Sequence, residues 1–321
     1  MSEKEIDSSD PVERWEGKSE DTEQEVSDVS IRTFWDRLFF VLKNDRLALG
    51  GIIVTMIVVI IGVAAPIIAP HDPYAASEPF VAPMSRSADG TLHILGTNSF
   101  GQDVLSRIIY GTRISLGIAV AAAAFALVIG TLIGLAAGFY GGWIDDLLMR
   151  YIDFQWAFPS LILAIAVIAY IGSVGAANVI LALGIAYIDD FARLVRGEVL
   201  SIREKEYIMA AKAVGMSNWR IMTREILPNA VSVIIVQLTL MLPLAILGEA
   251  GLSFLGVGVA VDTPSWGMLL GRGQRYINTA WWLSVFPGIA IVITVIAFNL
   301  FGDGLRDAFD TSEQIEGEAT Q

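Results

Sequence analysis

The sequence contains no cysteine and only two histidines among its 321 residues. Without cysteine it forms neither disulfides nor thiolate metal sites. The two histidines, His71 and His93, are not expected to form a cluster, so we predict no metal site. Paired carboxylates at catalytic spacing and Ser/His/Asp arrangements are also missing. The chain is therefore not expected to be an enzyme or to bind a cofactor of its own.

Charge is scarce outside the two ends of the chain. Charged residues make up 17% of the sequence and hydrophobic residues 54%, which is not the composition of a soluble domain. Residues 1–30 hold eleven acids and three bases, and residues 302–321 hold six acids and one base, which together give the whole net charge of −13. We predict acidic, disordered tails at residues 1–32 and 303–321. Because acidic surfaces are common in halophiles, a halophilic prokaryotic source is one hypothesis.

Long apolar runs predict an all-α polytopic membrane protein with six transmembrane helices. The first helix and an extracytoplasmic loop occupy residues 33–112, with residues 100–113 expected as a short helix lying on the membrane. The other five belong to a core at residues 113–302, with residues 141–150 expected as a turn. The predicted spans are residues 47–69, 114–139, 151–171, 176–188, 230–254 and 283–301. Gly130, Gly134 and Gly138 fall every fourth residue in the second span, which favours close packing against another helix.

The distribution of basic residues predicts the orientation. Six spans place both termini on one side, and segments on that side hold 16 of the 21 lysines and arginines. The positive-inside rule therefore makes both termini and residues 202–229 cytoplasmic, in the plasma membrane of a prokaryote.

Residues 202–229 are the longest polar stretch between apolar runs. Residues 204–214 favour a helix, with Tyr207, Ala211 and Val214 on one face. Gly215 is expected to stop that helix through a positive φ, and Ser217 to cap a second short helix that ends before Pro228. Two short helices joined at a glycine would make a knob that fits a socket on another protein. An ordinary loop covering the ends of the spans is the alternative.

Polar residues inside the spans are candidates for a transport pathway, because such residues are costly there and often functional. Glu249 is the only acid well inside a predicted span, and it is either a pathway residue or a carboxyl that packs helices together. The prolines can bend spans and so assist gating, although tuning of helix shape is an equal alternative. The pathway candidates are Gln155, Pro159, Gln237, Glu249 and Asn299.

Several motifs resemble known transporters. Ala210-Ala211, then Gly215, then Leu227-Pro228 resembles the "EAA" loop of ABC-importer permeases, with Met209 where the family usually has Glu. Residues 95–107, 110–116, 137–142, 248–256 and 264–267 resemble dipeptide, oligopeptide and nickel permeases in order, in particular their "C"-type subunit. The resemblance covers roughly residues 33–310 and leaves out only the tails.

This resemblance implies a type I ABC-importer permease fold with cytoplasmic coupling helices. The partners would be a second homologous permease, two ABC ATPases that bind ATP and Mg²⁺, an extracytoplasmic substrate-binding protein and the lipid bilayer, with no nucleic acid. Trp266 and Arg272 would lie on the binding-protein side. The substrate class would be dipeptides or oligopeptides, with nickel complexes and sugars known among relatives. The residues expected to dock on the ATPase are Glu206, Tyr207, Met209, Ala210, Ala211, Gly215, Leu227 and Pro228.

Two other classes of protein were weighed. A self-sufficient channel or secondary transporter would predict intramembrane charge pairs or inverted repeats, and the sequence shows neither. A membrane scaffold or receptor subunit would keep the knob but would carry no substrate flux.

Overall fold

A computed structural model describes residues 45–319, with side chains to residue 308. The predicted acidic tail at residues 1–32 lies outside the described residues. The described chain is mostly helical, as predicted, and divides into two units. Residues 50–303 form the larger unit. In the smaller one, which includes residues 45–49 and 304–319, Ala48 lies against Gly304, and Leu305 is buried.

Four of the described helices are long and apolar, and the others are short. Their bounds are α1 Arg46–Ile68, α2 Val104–Tyr140, α3 Gly142–Trp156, α4 Ser160–Ile171, α5 Ala176–Ala186, α6 Ile188–Arg203, α7 Glu206–Ala213, α8 Asn218–Ile221, α9 Leu227–Phe254, α10 Trp266–Gly273 and α11 Trp282–Ala319. A π-helical turn, Met222–Ile226, joins α8 to α9, and a 3₁₀ turn, Gln274–Tyr276, follows α10. Two short strands, β1 Ser85–Arg86 and β2 Leu92–His93, pair antiparallel between α1 and α2.

Four of these helical stretches in the described part of the chain are long and apolar enough to cross a membrane. They are Arg46–Ile68, Val104–Tyr140, Asn218–Phe254 and Trp282–Ala308. A fifth candidate is the pair α3 and α4, which is bent by 95°. The protein is therefore a multi-pass membrane protein.

Two predicted spans take a different form. The prediction of one helix over residues 151–171 is wrong, because the chain bends between α3 and α4, where Pro159 has ψ 129 and precedes the first residue of α4. The 12 residues of α4 rise only about 18 Å, against a hydrocarbon core of about 30 Å. The span predicted at residues 176–188 is the 11-residue helix α5, which is also too short to cross alone.

Three boundaries also differ from the predictions. Asp103 caps α2 by accepting a hydrogen bond from the Ser106 amide, so α2 begins at Val104 and residues 100–113 form no separate surface helix. The expected turn at residues 141–150 is confined to Gly141, because α3 already begins at Gly142. Both glycines have positive φ. The C-terminal stretch predicted to be disordered continues as helix through Ala319.

The glycine face of α2 packs against α6, which confirms the predicted close helix contact. A Cβ added at Gly130 would lie 2.5 Å from the Phe191 Cβ, and one at Gly134 would lie 2.5 Å from the Ala192 carbonyl oxygen. At Gly138 it would lie 2.8 Å from the Val199 Cβ. The two backbones are therefore in direct contact, which only glycine permits along this face.

Candidate functional site

The segment that joins α6 to α9 has the predicted helix–glycine–helix form. Helix α7 ends at Ala213, and Gly215 takes the left-handed conformation with φ 80. The Gly215 amide donates to the Lys212 carbonyl at 3.0 Å, and the Met216 amide donates to the Ala211 carbonyl at 3.1 Å. This pattern closes the open end of α7, as a glycine past a helix C-terminus commonly does. Ser217 occupies the N-cap position of α8, but the expected capping hydrogen bond from its side chain is not formed.

The buried face of α7 is marked by Ile208. Ile208 is fully buried, whereas Tyr207 and Val214 are 40% and 81% exposed. Ile208 belongs to the same buried cluster as Val195 and Val199 of α6. A cluster beneath the segment joins Ile208 to α2, α6, α8 and the start of α9. Its buried members are Leu135, Phe139, Val195, Val199, Ile202, Ile208, Ile221, Met222, Ile226, Ala230 and Ile234.

The segment between α6 and α9 carries exposed apolar side chains. Four large hydrophobic side chains are exposed there, and we call them the exposed patch: Tyr207, Met209, Val214 and Trp219. Ala210 is exposed as well, and Ala211 is half-buried. Partial burial, together with the Glu225 carboxylate, raises the pKa of the Tyr207 hydroxyl above its ordinary value. Several exposed apolar side chains in one short segment make it a candidate binding surface.

The second helix does not end before Pro228, which corrects the prediction. The chain is helical from Asn218 to Phe254, with the π-helical turn Met222–Ile226 directly before Leu227 and Pro228. Proline lacks an amide hydrogen and would disrupt a regular α-helix. Because the wider π turn and a new helix start fall at this point, Pro228 sits in the first turn of α9, where it is tolerated. Leu227 packs against the cluster beneath the segment, while Pro228 is exposed.

Polar contacts that the sequence did not indicate attach this region to the ends of α2 and α3. The Arg203 guanidinium donates to the carbonyl oxygens of Gly138 and Phe139 at 2.9 and 3.3 Å. The Lys212 ammonium lies 5.3 Å from the centre of the Phe139 ring. Arg196 forms a two-pronged ion pair with Asp145 at 2.6 and 2.7 Å. The last carbonyls of α2 are thus held by a side chain from α6.

Glu249 is fully buried, which places it away from any surface of the chain. The Ser253 hydroxyl donates to its Oε1 at 2.7 Å, the hydroxyls of Ser115 and Ser265 lie near the carboxyl, and its Oε2 makes no hydrogen bond to any described residue. These hydroxyls come from α9, from α2 and from the residue that caps α10. The arrangement favours the helix-packing interpretation over a pathway residue.

The other pathway candidates are not brought together. Gln155 is buried and donates to the Ile185 carbonyl at 2.8 Å and to Asp189 at 3.1 Å, so it ties α3 to α5 and α6. Gln237 is half-buried, and Asn299 and Pro159 are exposed. Of the five, the three that are not buried can still line a pathway built with another chain.

The side chain of Trp266 packs inside the chain, and its expected position towards a binding protein stays a prediction. Its ring is buried, and its indole N–H donates to the Ile108 carbonyl of α2 at 3.1 Å. Gly111 makes room for the ring, since a Cβ there would lie 2.9 Å from it. Arg272 is half-buried and lies over the Phe100 ring at 5.5 Å. Only Arg272 of this pair retains exposed surface.

The two histidines do form a cluster, so that expectation was wrong. Their ring centres lie 5.2 Å apart, and His93 Nδ1 lies 2.9 Å from the Asp103 carboxylate. Sequence spacing gave no sign of this, because the loop between α1 and α2 folds back on itself through the β1–β2 pair.

Long apolar helices, with a structured segment outside the membrane between two of them, define the chain as a multi-pass helical membrane protein of the transporter type. Residues 130–313 match the family described as the binding-protein-dependent transport system inner membrane component. Residues 33–86 match the N-terminal transmembrane domain of oligopeptide transport permease C. The chain belongs to this permease family, as its motifs indicated, and the channel or secondary transporter is not favoured.

Three similar proteins are named as permeases. The chain is 44% identical to the dipeptide transport system permease protein DppC of Alkalihalophilus pseudofirmus, over 86% of this chain and 89% of that one. It is 39% identical to the glutathione transport system permease protein GsiD of Pectobacterium atrosepticum, over 89% and 93%. It is 38% identical to the di/tripeptide permease DppC of Pseudomonas aeruginosa, over 87% and 91%.

A solved structure shares the fold. The chain resembles a chain of the inward-facing MetNI methionine ABC transporter with a TM-score of 0.52 and 20% identity. The similarity covers 63% of this chain and 96% of that one.

Proposed function

We propose that this chain is the membrane subunit of an ATP-driven importer of short peptides, and that α7, Gly215 and α8 dock on a partner ATPase. The exposed patch is the observation that carries the docking assignment. Three of its four large apolar side chains lie between the candidate membrane-spanning helices, Trp219 lies in the first turn of the helical stretch Asn218–Phe254, and the buried cluster lies beneath the segment. Aromatic and methionine side chains are enriched in the cores of protein interfaces.

The energy would come from the partners. Two ATPases would bind ATP and Mg²⁺, and closure of their dimer would pull on α7. A second homologous permease would complete the pathway, and an extracytoplasmic binding protein would deliver the substrate. This chain itself would hold no cofactor.

The topology that fits this role has six spans with both termini in the cytoplasm. We count α3 with α4 as one broken span, and α5 with α6 as another. Residues 176–203 are helical apart from Tyr187 and would give roughly 42 Å of helix, of which α5 is the apolar part and α6 the charged, amphipathic part. Six spans then place the basic segment around Arg203 and Arg220 on the cytoplasmic side, in accord with the positive-inside rule.

A short peptide is the substrate class that we propose. The relatives described above are named for dipeptides, di/tripeptides and glutathione. Dipeptides, tripeptides and glutathione share a backbone amide and charged ends.

The test is uptake of labelled dipeptide into proteoliposomes that hold the chain with its co-purified partners. Uptake should require both internal ATP and the binding protein. Uptake by the chain alone, without ATP, would establish the channel and refute the proposal, whereas ATPase association without any flux would favour a scaffold.

The docking surface is tested by placing a charge in the exposed patch. Met209→Asp and Val214→Asp should each weaken ATPase association by about tenfold or more, since buried interface anchors are commonly worth over 1 kcal/mol. Val261→Asp is the matched control, because Val261 is similarly exposed but lies in the α9–α10 loop. Normal association of both patch variants would show that the ATPase binds elsewhere.

A further inference from the structure

We propose that the segment between α1 and α2 carries a binding site for one divalent transition-metal ion, with Zn²⁺ as the best fit, held by His71, His93 and Asp103. One ring nitrogen of each histidine and one carboxylate oxygen all lie within 4.8 Å of one another. Nothing in the transport function requires this site, so the proposal stands apart from the importer assignment.

The three donors come from three separate parts of the chain. His71 follows the end of α1, His93 is the last residue of β2, and Asp103 caps the first turn of α2. His93 and Asp103 are 3% and 2% exposed, so their donor atoms are held inside the folded loop. His71 is half-buried and leaves one side of the cluster accessible. An ion can therefore enter past His71 and meet two donors already in place.

Hydrogen bonds orient these donors before any ion binds. The Asp103 Oδ2 accepts from the amide and the hydroxyl of Ser106 at 2.8 and 2.7 Å. On the far side of the His93 ring, Nε2 lies 3.2 Å from the Ser77 hydroxyl and 3.4 Å from the Ser87 hydroxyl. Hydrogen bonds of this kind fix the rings and carboxylates of metal sites. The Asp103 Oδ1, which faces His93, is the carboxylate oxygen left for a ligand.

One of the three donor distances is already close to that of a tetrahedral site, whereas the set of three lies within 4.8 Å. Ligand atoms about 2.0–2.1 Å from Zn²⁺ lie roughly 3.3 Å from one another in a tetrahedron. The His93–Asp103 distance of 2.9 Å would widen by a few tenths of an ångström. The His71 ring would turn inward to reach the ion. It would then give up its 3.1 Å contact with the Leu92 carbonyl, which the bond to the ion would replace. Water would fill the fourth position.

The chemistry of the donors selects the class of ion. Two imidazoles and a carboxylate suit Zn²⁺, Ni²⁺, Cu²⁺ or Co²⁺, whereas Ca²⁺ and Mg²⁺ require mainly oxygen ligands. The carboxylate also compensates part of the charge of the ion. When bound, the ion would join the chain after α1, the β1–β2 pair and the start of α2 into one unit.

The sequence makes the test unusually clean. These are the only two histidines in the chain, and there is no cysteine. A spectroscopic signal of histidine–metal coordination in this chain therefore has a single source. Co²⁺ is the probe, because its visible absorption bands report the number and type of its ligands.

The experiment titrates Co²⁺ into the full-length chain in lipid nanodiscs and follows the visible absorption, with Zn²⁺ added afterwards to displace it. We expect one Co²⁺ per chain. His71→Gln should weaken binding by more than about tenfold, because even outer-shell partners of metal ligands are worth roughly 10–100-fold. Glu78→Gln is the matched control, since it removes an exposed carboxylate of the same loop that lies outside the donor set.

Asp103→Asn separates loss of metal binding from loss of folding, because asparagine also caps helices well but lacks the negative charge. It should bind Co²⁺ weakly while its thermal unfolding midpoint without metal stays near that of the native chain. No Co²⁺ bands in the native chain would overturn the proposal, and so would native affinity in His71→Gln. If transport fails to depend on ATP while Co²⁺ binds as described, the importer assignment fails and the metal site stands.

Discussion

Gly215 allows the docking role to be tested through backbone geometry alone. Its φ of 80 is a conformation that side-chain-bearing residues rarely adopt, and a Cβ added there would meet nothing within 4 Å. Substitution therefore causes no collision, and its whole effect comes from the backbone. We expect Gly215→Asn to behave almost as the native chain, Gly215→Ala to be weaker, and Gly215→Val to be weakest.

The size of the effect follows from the cost of the left-handed conformation. That cost is about 1–2 kcal/mol for an ordinary residue, and it is greater for a β-branched one. The turn relieves the strain by changing φ, which rotates α7 relative to α8 and shifts the exposed patch. If the ATPase binds only the native arrangement, the strain is subtracted from the docking free energy, which lowers affinity by roughly 5–30-fold in Gly215→Ala.

The assay is ATP-driven peptide uptake, measured beside the amount of ATPase that co-purifies with each variant. Uptake and association should fall in the order Asn, Ala, Val, while membrane insertion and yield stay constant. Normal uptake by Gly215→Val would refute the turn as a coupling element. Equal loss of uptake in Gly215→Asn and Gly215→Val would show that position 215 is sensitive to substitution for a reason other than φ.

Three further predictions concern stability, measured as the thermal unfolding midpoint of the purified chain. Gly134→Ala should destabilise by about 1–3 kcal/mol, because its Cβ would lie 2.5 Å from the Ala192 carbonyl of α6. Gly117→Ala in the same helix has no atom within 4 Å and should be neutral or stabilising, and equal effects would contradict the backbone contact. Glu249→Gln should be nearly neutral, whereas Glu249→Ala should cost about 2 kcal/mol or more through a cavity and unpaired hydroxyls. Arg203→Gln should cost about 1 kcal/mol by releasing the last carbonyls of α2, and an unchanged midpoint would show that water replaces it.

Much of the fold follows from patterns that act locally. Apolar runs of about 20 residues predicted the four long helices, because each such run must satisfy its backbone hydrogen bonds within itself. Gly215 was recognised as a helix stop from its chemistry alone. The glycine face of α2 was read from spacing, and the structure confirms its close contact.

What failed depended on contacts between distant residues. Local helix periodicity grouped Tyr207 with Ala211 and Val214 but did not indicate that Ile208 is the buried residue of α7, since it carries no information about where α6 lies. The bend of 95° before α4 could not be read from Pro159, because proline equally permits a mild kink. The approach of His71 to His93 depends on the folding of a whole loop.

The sequence predicted where along the chain the candidate site lies, but not which helices it packs against. The sequence pointed to residues 202–229 without showing how a movement there would reach the membrane. The structure provides a continuous connection. Ile208 packs into the same cluster as Val199 of α6, and α6 contacts α2 along Gly130, Gly134 and Gly138.

The nature of that contact bears on how force is transmitted. Side chains that touch across an interface can change rotamer and absorb a displacement, but backbone atoms in direct contact cannot. Along the glycine face α2 has no side chain that could change rotamer, although Phe191 and Val199 of α6 contact it with side-chain atoms, and Arg203 fastens the end of α2 to α6 with two hydrogen bonds. A pull on α7 is therefore expected to move α6 and α2 together, as one rigid body. Such joint movement is required if closure of an ATPase dimer is to open a pathway at the opposite end of the spans.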